Sequence, residues 1–325
     1  MRLDGKGHPF FAVEGKPGPT QIEGALTHYY RNSLKNCALH APTHATILAF
    51  CPVRLPSWSG RTALPHSYML QIFSDPLFIA EYVSATLIDR IQAKPEVVLG
   101  LATGGTMEPI YARFVDEARQ SNLDVSRLTS FNLDEYIGLR PDHPKSYSAY
   151  MRDHLFQHLE FDAARLHVPD GMAQDLAAHC KAYAARLREC GGIDLQLLGV
   201  GGNGHIGFNE PGTAFDCPCH VVELAEQTRI DNSRFFAKGA IVPGSAITMG
   251  LAEIMEAREI LLVATGESKA QIVADWYQGG VTEAIPFTVL KRHPRATIIL
   301  DEAAASLLPV DVYKQGTVEA EARES

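Results

Sequence analysis

The chain has 325 residues, of which 46% are hydrophobic and 21% are charged, as is typical of a globular protein with a sizeable core. Its formal net charge of −9 gives no overall basic field for nucleic acid or an anionic membrane, although a local cationic pocket for a small anion is compatible with it. The N-terminus lacks the apolar core of a signal peptide, and no apolar run is long enough to span a membrane. We therefore expect a cytoplasmic protein that binds neither nucleic acid nor membrane.

The cysteines do not follow the pattern of a disulfide framework or of a zinc site. Cys217 and Cys219 are separated by one residue, and no second pair lies at the spacing of zinc ligands. We therefore expect no structural metal and a reducing environment. The six cysteines are Cys37, Cys51, Cys180, Cys190, Cys217 and Cys219.

Residues 1–68 differ in pattern from the rest of the chain. Prolines, histidines and short apolar patches alternate there without a sustained period, so we expect a leader that is disordered or not part of the native protein. A regular pattern begins at Met69. We assign residues 69–310 to one domain and residues 311–325 to a charged C-terminal tail.

Predicted strands and helices alternate along this domain. Short apolar runs predict buried strands, and capping residues followed by apolar residues at helical spacing predict the helices between them. The alternation is typical of an α/β fold with a mainly parallel sheet and helices on both faces. In chain order, we predict strands at 70–73, 97–102, 128–133, 193–200, 259–265 and 296–300, and helices that begin near Asp75, Thr106, Ser146, Asp175 and Ser268.

The sequence Thr103-Gly104-Gly105-Thr106 follows the second predicted strand and leads into a helix. Ligands of open parallel sheets bind beyond the carboxyl ends of the strands, where backbone amides and a helix N-terminus can receive an anion. The segment is neither a P-loop nor a complete dinucleotide fingerprint. It is interpreted either as a phosphate-binding turn or as a tight turn that needs glycine only for its backbone angles.

Two acids, Asp134 and Glu135, directly follow the third predicted strand in the sequence FNLDEY. At that edge of the sheet a carboxylate can face the cleft and act as a general base. The alternative is that both are solvated loop acids. Since the two residues are adjacent, only one of them needs to point inward.

The sequence LLGVGGNGHIGFNEPG, residues 197–212, places few ionisable side chains in a glycine-rich loop after a strand. His205 lies there without bulky neighbours, Glu210 can tune the pKa of its imidazole, and Asn203 can orient the ring or a substrate hydroxyl. The dense glycines indicate sharp turns or close approach of the backbone to another group. A solvated loop histidine with a helix-capping acid is the alternative interpretation.

Two cations lie where they can reach the same edge of the sheet. Arg234 occurs in TRIDNSRFF, and Lys269 follows a strand in ATGESKAQ. Together they can neutralise a phosphate dianion. Each by itself is better explained as a surface charge, and Lys269, at a strand-to-helix turn, is the stronger candidate of the two.

Taken together, these segments resemble the glucosamine-6-phosphate deaminase family, also called glucosamine-6-phosphate isomerase. The resemblance extends from about Met69 to Leu308 and is carried by LATGGT, FNLDEY, SYSAYM, GNGHIGFNEPG, TRIDNSRFF and SKA in the family's order. It implies a single-domain modified Rossmann-like fold and conversion of glucosamine 6-phosphate and water to fructose 6-phosphate and ammonium. It implies no metal or redox cofactor, and it leaves open whether the protein is a homo-oligomer.

The resemblance also implies roles for the residues that match the family's motifs. His205, assisted by Glu210 and Asn203, opens the sugar ring, and Asp134 removes the proton at C2. Glu135 is the neighbour that is not the base. The phosphate site corresponds to Thr103, Gly104, Gly105, Thr106, Arg234 and Lys269.

Three other functions are weighed against this one. A galactosamine-6-phosphate deaminase or isomerase is supported by the stretch that begins at CHVVEL, whereas FNLDEY and NSRFF favour the gluco enzyme. A 6-phosphogluconolactonase typically has a Ser-Leu-Phe-Pro-like segment where this chain has residues 208–211. A sugar-phosphate sensor would normally carry a DNA-binding module, for which residues 1–68 give no signal. Allosteric members bind their effector partly through an arginine and a lysine that align with His220 and Val222, so regulation of that kind is not expected.

Overall fold

The computed structural model describes residues 68–234, 236 and 241–318, and the backbone of residues 2–3 and 9–10. The chain divides into two units, Met1–Arg61 and Thr62–Ser325. In the first unit only two short strands are described, and they pair antiparallel. The rest of the expected leader up to residue 67 lies outside the described residues.

Seven strands of the second unit form one parallel sheet. Their order across the sheet is β3 (Tyr68–Phe73), β12 (Ala296–Asp301), β11 (Ile260–Ala264), β8 (Leu195–Leu198), β4 (Val98–Leu101), β5 (Thr129–Asn132) and β7 (Leu166–His167). Every residue of β4, β8 and β11 is buried, as expected for a parallel sheet covered on both faces. The predicted α/β architecture is confirmed. The described strands are β1 (Arg2–Leu3), β2 (Pro9–Phe10), β3 (Tyr68–Phe73), β4 (Val98–Leu101), β5 (Thr129–Asn132), β6 (Asp134–Tyr136), β7 (Leu166–His167), β8 (Leu195–Leu198), β9 (His220–Glu223), β10 (Ser245–Thr248), β11 (Ile260–Ala264) and β12 (Ala296–Asp301).

Helices connect these strands, and three of the five predicted helices begin at the predicted capping residue. The helices predicted near Thr106 and Ser268 begin two residues later, at Glu108 and Ala270, and have no side-chain cap. Asp75, Ser146 and Asp175 each accept a hydrogen bond from a backbone N–H of the first turn, which satisfies a donor that the helix itself leaves unpaired. No helix in the described part of the chain is long and apolar enough to cross a membrane. The described α-helices are α1 (Pro76–Ala93), α2 (Glu108–Ser121), α3 (Tyr147–His154), α4 (Leu176–Glu189), α5 (Glu226–Ser233), α6 (Leu251–Met255), α7 (Ala270–Gln278) and α8 (Val310–Gly316).

A second, antiparallel sheet of three strands, β6-β10-β9, was not predicted from the sequence. Asp134 of β6 lies opposite Thr248 of β10, which in turn lies opposite His220 of β9. The acids that follow β5 are therefore held in a strand and are not free loop residues. This sheet fixes the backbone at one side of the cleft described below.

The C-terminal segment also differs from the expected charged tail. Helix α8 begins at Val310, and Val318 donates a backbone hydrogen bond to the carbonyl of Ile72 at 2.9 Å. Val312, on this helix, is 4% exposed. The buried side chain of Val312 and the backbone of Val318 therefore attach this segment to the domain.

Candidate active site

A cleft of about 910 Å³ lies beyond the carboxyl ends of β4, β5, β8 and β11. This is the edge at which ligands of open parallel sheets bind. Of the predicted site residues, the structure brings Thr103, Gly104, Gly105, Thr106, Asp134, His205, Arg234 and Lys269 together in the lining of this one cleft. Asn203 and Glu210 do not line it.

The turn at residues 103–106 presents bare backbone to the cleft. Gly104 has φ of +110°, a conformation that other residues rarely adopt. A Cβ atom at either Gly104 or Gly105 would meet open space. The carbonyl of Gly104 accepts hydrogen bonds from the backbone N–H of Met107 and from the Tyr150 hydroxyl, both at 2.9 Å, which fixes the turn just before α2. Such a turn can receive an anion through its backbone amides.

The two cations are close enough to influence each other. Burial lowers the pKa of Lys269, and the charge of Arg234 lowers it further, whereas Asp231 acts in the opposite direction. Lys269 is the last residue of the 3₁₀ turn Glu267–Lys269. The backbone N–H of Gly266, just before this turn, donates to both carboxylate oxygens of Asp301, at 2.9 and 3.0 Å, and so fixes the turn. Arg234 is exposed and Lys269 is partly buried. Since two like charges held close together repel, an anion bound between them would be stabilised.

Asp134 carries a buried carboxylate whose environment favours the protonated form. Burial, and next the neighbouring carboxylate of Glu135, raises the pKa of Asp134 to about 8. Among the described residues none donates a hydrogen bond to this carboxylate. A carboxylate that is poorly solvated and lacks donors is a stronger base than one in water, as general-base catalysis requires.

Glu135 has the opposite orientation and does not line the cleft. Its Oε1 accepts hydrogen bonds from the N–H groups of Tyr136 and Tyr147, and its Oε2 accepts one from Ser148, all at 2.9 Å. The sequence interpretation allowed one acid of the pair to point inward. In the structure that acid is Asp134.

The ring of His205 is held through one nitrogen. Its Nδ1 lies 2.7 Å from Oδ1 of Asn203, and because an amide oxygen only accepts, Nδ1 carries the proton. Burial lowers the pKa of His205 more than the charge of Glu210 raises it. The imidazole is therefore neutral near neutral pH, and Nε2 is the nitrogen left to accept a proton.

The sequence interpretation placed Glu210 next to the His205 ring. In the structure it lies behind Asn203, which is the residue that contacts the ring. Its Oε2 accepts a hydrogen bond from Nδ2 of Asn203 at 2.7 Å and lies 3.8 Å from Nδ1 of His205. Its other oxygen, Oε1, accepts from the backbone N–H of Ala225 at 3.3 Å. Asn203 therefore bridges Glu210 and the ring, and Glu210 acts on His205 through this amide as well as through its charge.

The glycines of this loop give His205 its position. A Cβ at Gly201 would overlap the imidazole ring, so the ring lies directly over the Gly201 backbone. Gly204 and Gly207 have φ of +86° and +56°. The loop therefore needs glycine both for close approach and for backbone conformation.

Several cleft residues were not singled out as site residues from the sequence. Tyr147 and Tyr150 lie in the SYSAYM segment, whose residues were given no site role, and Tyr136 and Phe208 belong to motifs in which only charged or polar members were given one. Aromatic residues next to an acid or a glycine loop are the signal that was available. The missed cleft-lining residues include Tyr136, Lys145, Tyr147, Tyr150, Phe208, Thr228, Asp231, Asn232 and Ser268.

Comparisons with known proteins identify the family of the chain. Residues 77–299 match the family described as glucosamine-6-phosphate isomerases/6-phosphogluconolactonase. A glucosamine-6-phosphate deaminase of Rhodopirellula baltica is 51% identical over 239 residues, which cover 74% of this chain and 95% of the relative. A deaminase of the same name from a Geobacillus species is 50% identical over 228 residues, which cover 70% of this chain and 91% of the relative.

Solved structures give the same result. A monomeric glucosamine-6-phosphate deaminase is 42% identical and matches with a TM-score of 0.71 over 74% of this chain and 100% of its own. A 6-phosphogluconolactonase from Trypanosoma brucei shares the fold, with a TM-score of 0.60 at 20% identity over 75% of this chain and 100% of its own. The chain therefore belongs to the family of glucosamine-6-phosphate isomerases and 6-phosphogluconolactonases.

Proposed function

We propose that this chain is a glucosamine-6-phosphate deaminase, which acts in amino-sugar metabolism and converts glucosamine 6-phosphate and water to fructose 6-phosphate and ammonium. The observation that carries the proposal is that Asp134, a carboxylate of raised pKa, and His205, a neutral imidazole, line the same cleft as the turn at 103–106. An acid–base pair beside an anion site suits a sugar phosphate. The relatives at about half identity carry this name.

The phosphate group is bound at one end of the cleft. The backbone amides of residues 103–106 receive its oxygens, and Arg234 and Lys269 neutralise its charge. Binding there removes the repulsion between the two cations. It also fixes the distance from the phosphate to the reacting carbons, so that the sugar is presented in one orientation.

His205 opens the pyranose ring. Since Nδ1 is hydrogen-bonded to Asn203, Nε2 takes the proton from the anomeric hydroxyl and delivers it to the ring oxygen as the bond between that oxygen and C1 breaks. A neutral imidazole whose Nε2 can accept a proton and return it is suited to both transfers. Asn203 and Glu210 hold the ring in the tautomer that this step needs.

Asp134 then carries out the aldose-to-ketose step. Its carboxylate removes the C2 proton of the open-chain aldehyde, and a proton is returned at C1, while the C1 oxygen gains the proton that the C2 nitrogen loses. The resulting imine at C2 adds water and releases ammonia, which leaves the ketone of fructose 6-phosphate. The raised pKa of Asp134 brings its basicity closer to that of the weak carbon acid, which lowers the cost of the first transfer.

Ammonia release from two epimeric substrates, glucosamine 6-phosphate and galactosamine 6-phosphate, tests the proposal. We expect rapid release from the gluco epimer and a kcat/KM for the galacto epimer that is lower by at least about tenfold, or about 1.4 kcal/mol. Preference for the galacto epimer would instead assign the protein to that substrate. A third assay with 6-phosphogluconolactone separates the hydrolase, and lactone hydrolysis without ammonia release would refute the deaminase.

Two properties of the whole protein belong with this proposal. The four described cysteines, Cys180, Cys190, Cys217 and Cys219, are free thiols, which supports a reducing compartment such as the cytoplasm. The solved relative at 42% identity is described as monomeric, which favours a monomer over a homo-oligomer. Light scattering of the purified protein measures the oligomeric state directly.

A further inference from the structure

Glu135 is a buried acid to which the mechanism above assigns no step. It is 2% exposed and bonds three backbone N–H groups. Two of these belong to Tyr147 and Ser148, the first residues of α3. A carboxylate that binds helix N-terminal donors is a strong attachment, so Glu135 ties the start of α3 to β6, the strand that carries Asp134.

Helix α3 continues this connection to the phosphate-binding turn. The hydroxyl of Tyr150, one turn into the helix, donates to the carbonyl oxygen of Gly104 at 2.9 Å. The same carbonyl accepts from Met107. Since each peptide unit is rigid and planar, the position of this carbonyl sets the direction of the Gly105 N–H, which belongs to the same peptide unit.

A second connection leads toward the cationic side of the cleft. The Tyr147 hydroxyl donates to the Tyr136 hydroxyl at 3.3 Å, and Nδ2 of Asn232 donates to the same oxygen at 3.0 Å. Asn232 lies near the end of α5, two residues before Arg234. The turn at residues 103–106 and the segment that carries Arg234 are thus both linked to β6, the strand that carries Asp134.

We infer that Glu135 is a positioning residue, which sets the place of the phosphate-binding turn relative to Asp134 by holding α3 against β6. The inference rests on the proposed function and adds a residue to it. The base must reach C2 while the phosphate at C6 is held at the far end of the substrate. A displacement of about 1 Å between these two points can reduce the rate by about a hundredfold.

The charge of Glu135 supplies a second readout. Among the described groups that interact with Asp134, the other titratable ones are Tyr136, Tyr147 and Tyr183, and burial raises the pKa of all three, so they are neutral. Burial raises the pKa of Glu135, its three backbone N–H donors act in the opposite direction, and the charge of Asp170 adds a smaller rise. Removing the charge at position 135 should therefore lower the pKa of Asp134.

The test compares Glu135→Gln with two other variants in the full-length protein. Glutamine keeps one oxygen acceptor but loses the charge and one of the acceptor positions. We expect a rise in KM of about tenfold, a fall in kcat, and a shift of the ascending limb of the kcat/KM profile to lower pH. Calorimetric titration with inorganic phosphate should show weaker binding by several-fold.

Two matched variants separate positioning from loss of stability. Asp175→Ala removes an exposed carboxylate that caps α4 away from the cleft, so it should lower Tm without changing phosphate affinity or the pH profile. Tyr150→Phe removes only the hydroxyl that contacts Gly104, so it should weaken phosphate binding and raise KM with the pH limb unchanged.

The inference is overturned if Glu135→Gln lowers Tm as Asp175→Ala does but leaves phosphate affinity, KM and the pH limb at their wild-type values. Should Glu135→Gln not fold, unchanged phosphate affinity in Tyr150→Phe would overturn it equally. Phosphate titration needs no turnover. A wild-type protein that binds phosphate but releases no ammonia would therefore contradict the proposed function and not this inference.

Discussion

At the scale of single residues, the carboxylate of Asp134 behaves very differently from one in water. It is 7% exposed, its pKa is raised to about 8, and it is the proposed base. In Asp134→Asn the shape is kept but the basicity is lost, so kcat should fall by about 10²- to 10⁴-fold. Calorimetric titration should show that substrate still binds within a few-fold of wild type. Undiminished ammonia release would show that another group removes the C2 proton.

The same residue should reduce the stability of the protein at high pH. In the unfolded chain Asp134 ionises near pH 3.8, as an aspartate in water does, whereas in the folded protein it keeps its proton to about pH 8. The folded state therefore loses stability relative to the unfolded chain as pH rises through this interval, and it loses no more above it. Asp134→Asn carries no such cost.

We therefore expect the free energy of unfolding of Asp134→Asn, relative to wild type, to increase with pH. Each pKa unit corresponds to about 1.4 kcal/mol, so the gain between about pH 5.5 and about pH 9 should be about 3 kcal/mol. Urea unfolding at the two pH values measures it. A gain that is the same at both would show that the pKa of Asp134 is not raised.

Contacts between side chains could be predicted from the sequence only where one motif contains all the residues that take part. Asn203, His205 and Glu210 lie within eight residues, so their association was expected, although the order in which they contact one another was not. Glu135 meets Tyr147 and Ser148 through tertiary packing. No local pattern indicates that contact, and its structural role became visible only in the fold.

At the scale of elements, the loop that follows β8 shows how backbone space places a catalytic side chain. Gly201→Ala would put a Cβ into the position of the His205 ring, so the ring must move. We expect kcat to fall by about tenfold or more, with little change in phosphate affinity. Gly280→Ala is the matched control, since Gly280 has open space around it and no positive φ. Equal activity of the two variants would show that the ring position is not critical.

Six of the seven strands of the main sheet were predictable because each is an apolar run that ends in a glycine, an acid or a polar turn. The seventh, β7, was not predicted, since it has only two residues and neither is fully buried. The antiparallel sheet was not predicted either. Its strand β6 has three residues, two of them acidic, and its pairing with Ser245–Thr248 joins segments far apart in sequence. Short strands whose stability depends on distant partners carry little local signal.

At the scale of the whole molecule, the cleft is formed by segments that follow four parallel strands. The sheet order places β11, β8, β4 and β5 side by side, so that the residues after each strand meet at one edge. This is why four motifs far apart in the sequence could be assigned to one site. The other elements around the cleft, which include α3, α5 and the antiparallel sheet, could not be assigned to the site in the same way.

The division of the chain into two units bears on where the catalytic domain begins. All the proposed site residues, from 103 to 269, lie in the unit Thr62–Ser325. The alignment with the Rhodopirellula baltica relative covers 95% of that relative but 74% of this chain, so the relative's fold is nearly complete without the remainder. We propose that residues 62–325 form the catalytic domain.

A variant that begins at Thr62 should therefore fold and release ammonia with kcat and KM within about twofold of the full-length chain. The seven-stranded sheet, the cleft and the hydrogen bonds that hold His205 and Glu135 all lie within it, and stability within such a unit comes from its own core. Full-length protein prepared in parallel is the reference, and thermal unfolding shows whether the shortened chain is folded. A folded but inactive variant would show that residues 1–61 contribute to the active site. A variant that does not fold would place the domain boundary before residue 62.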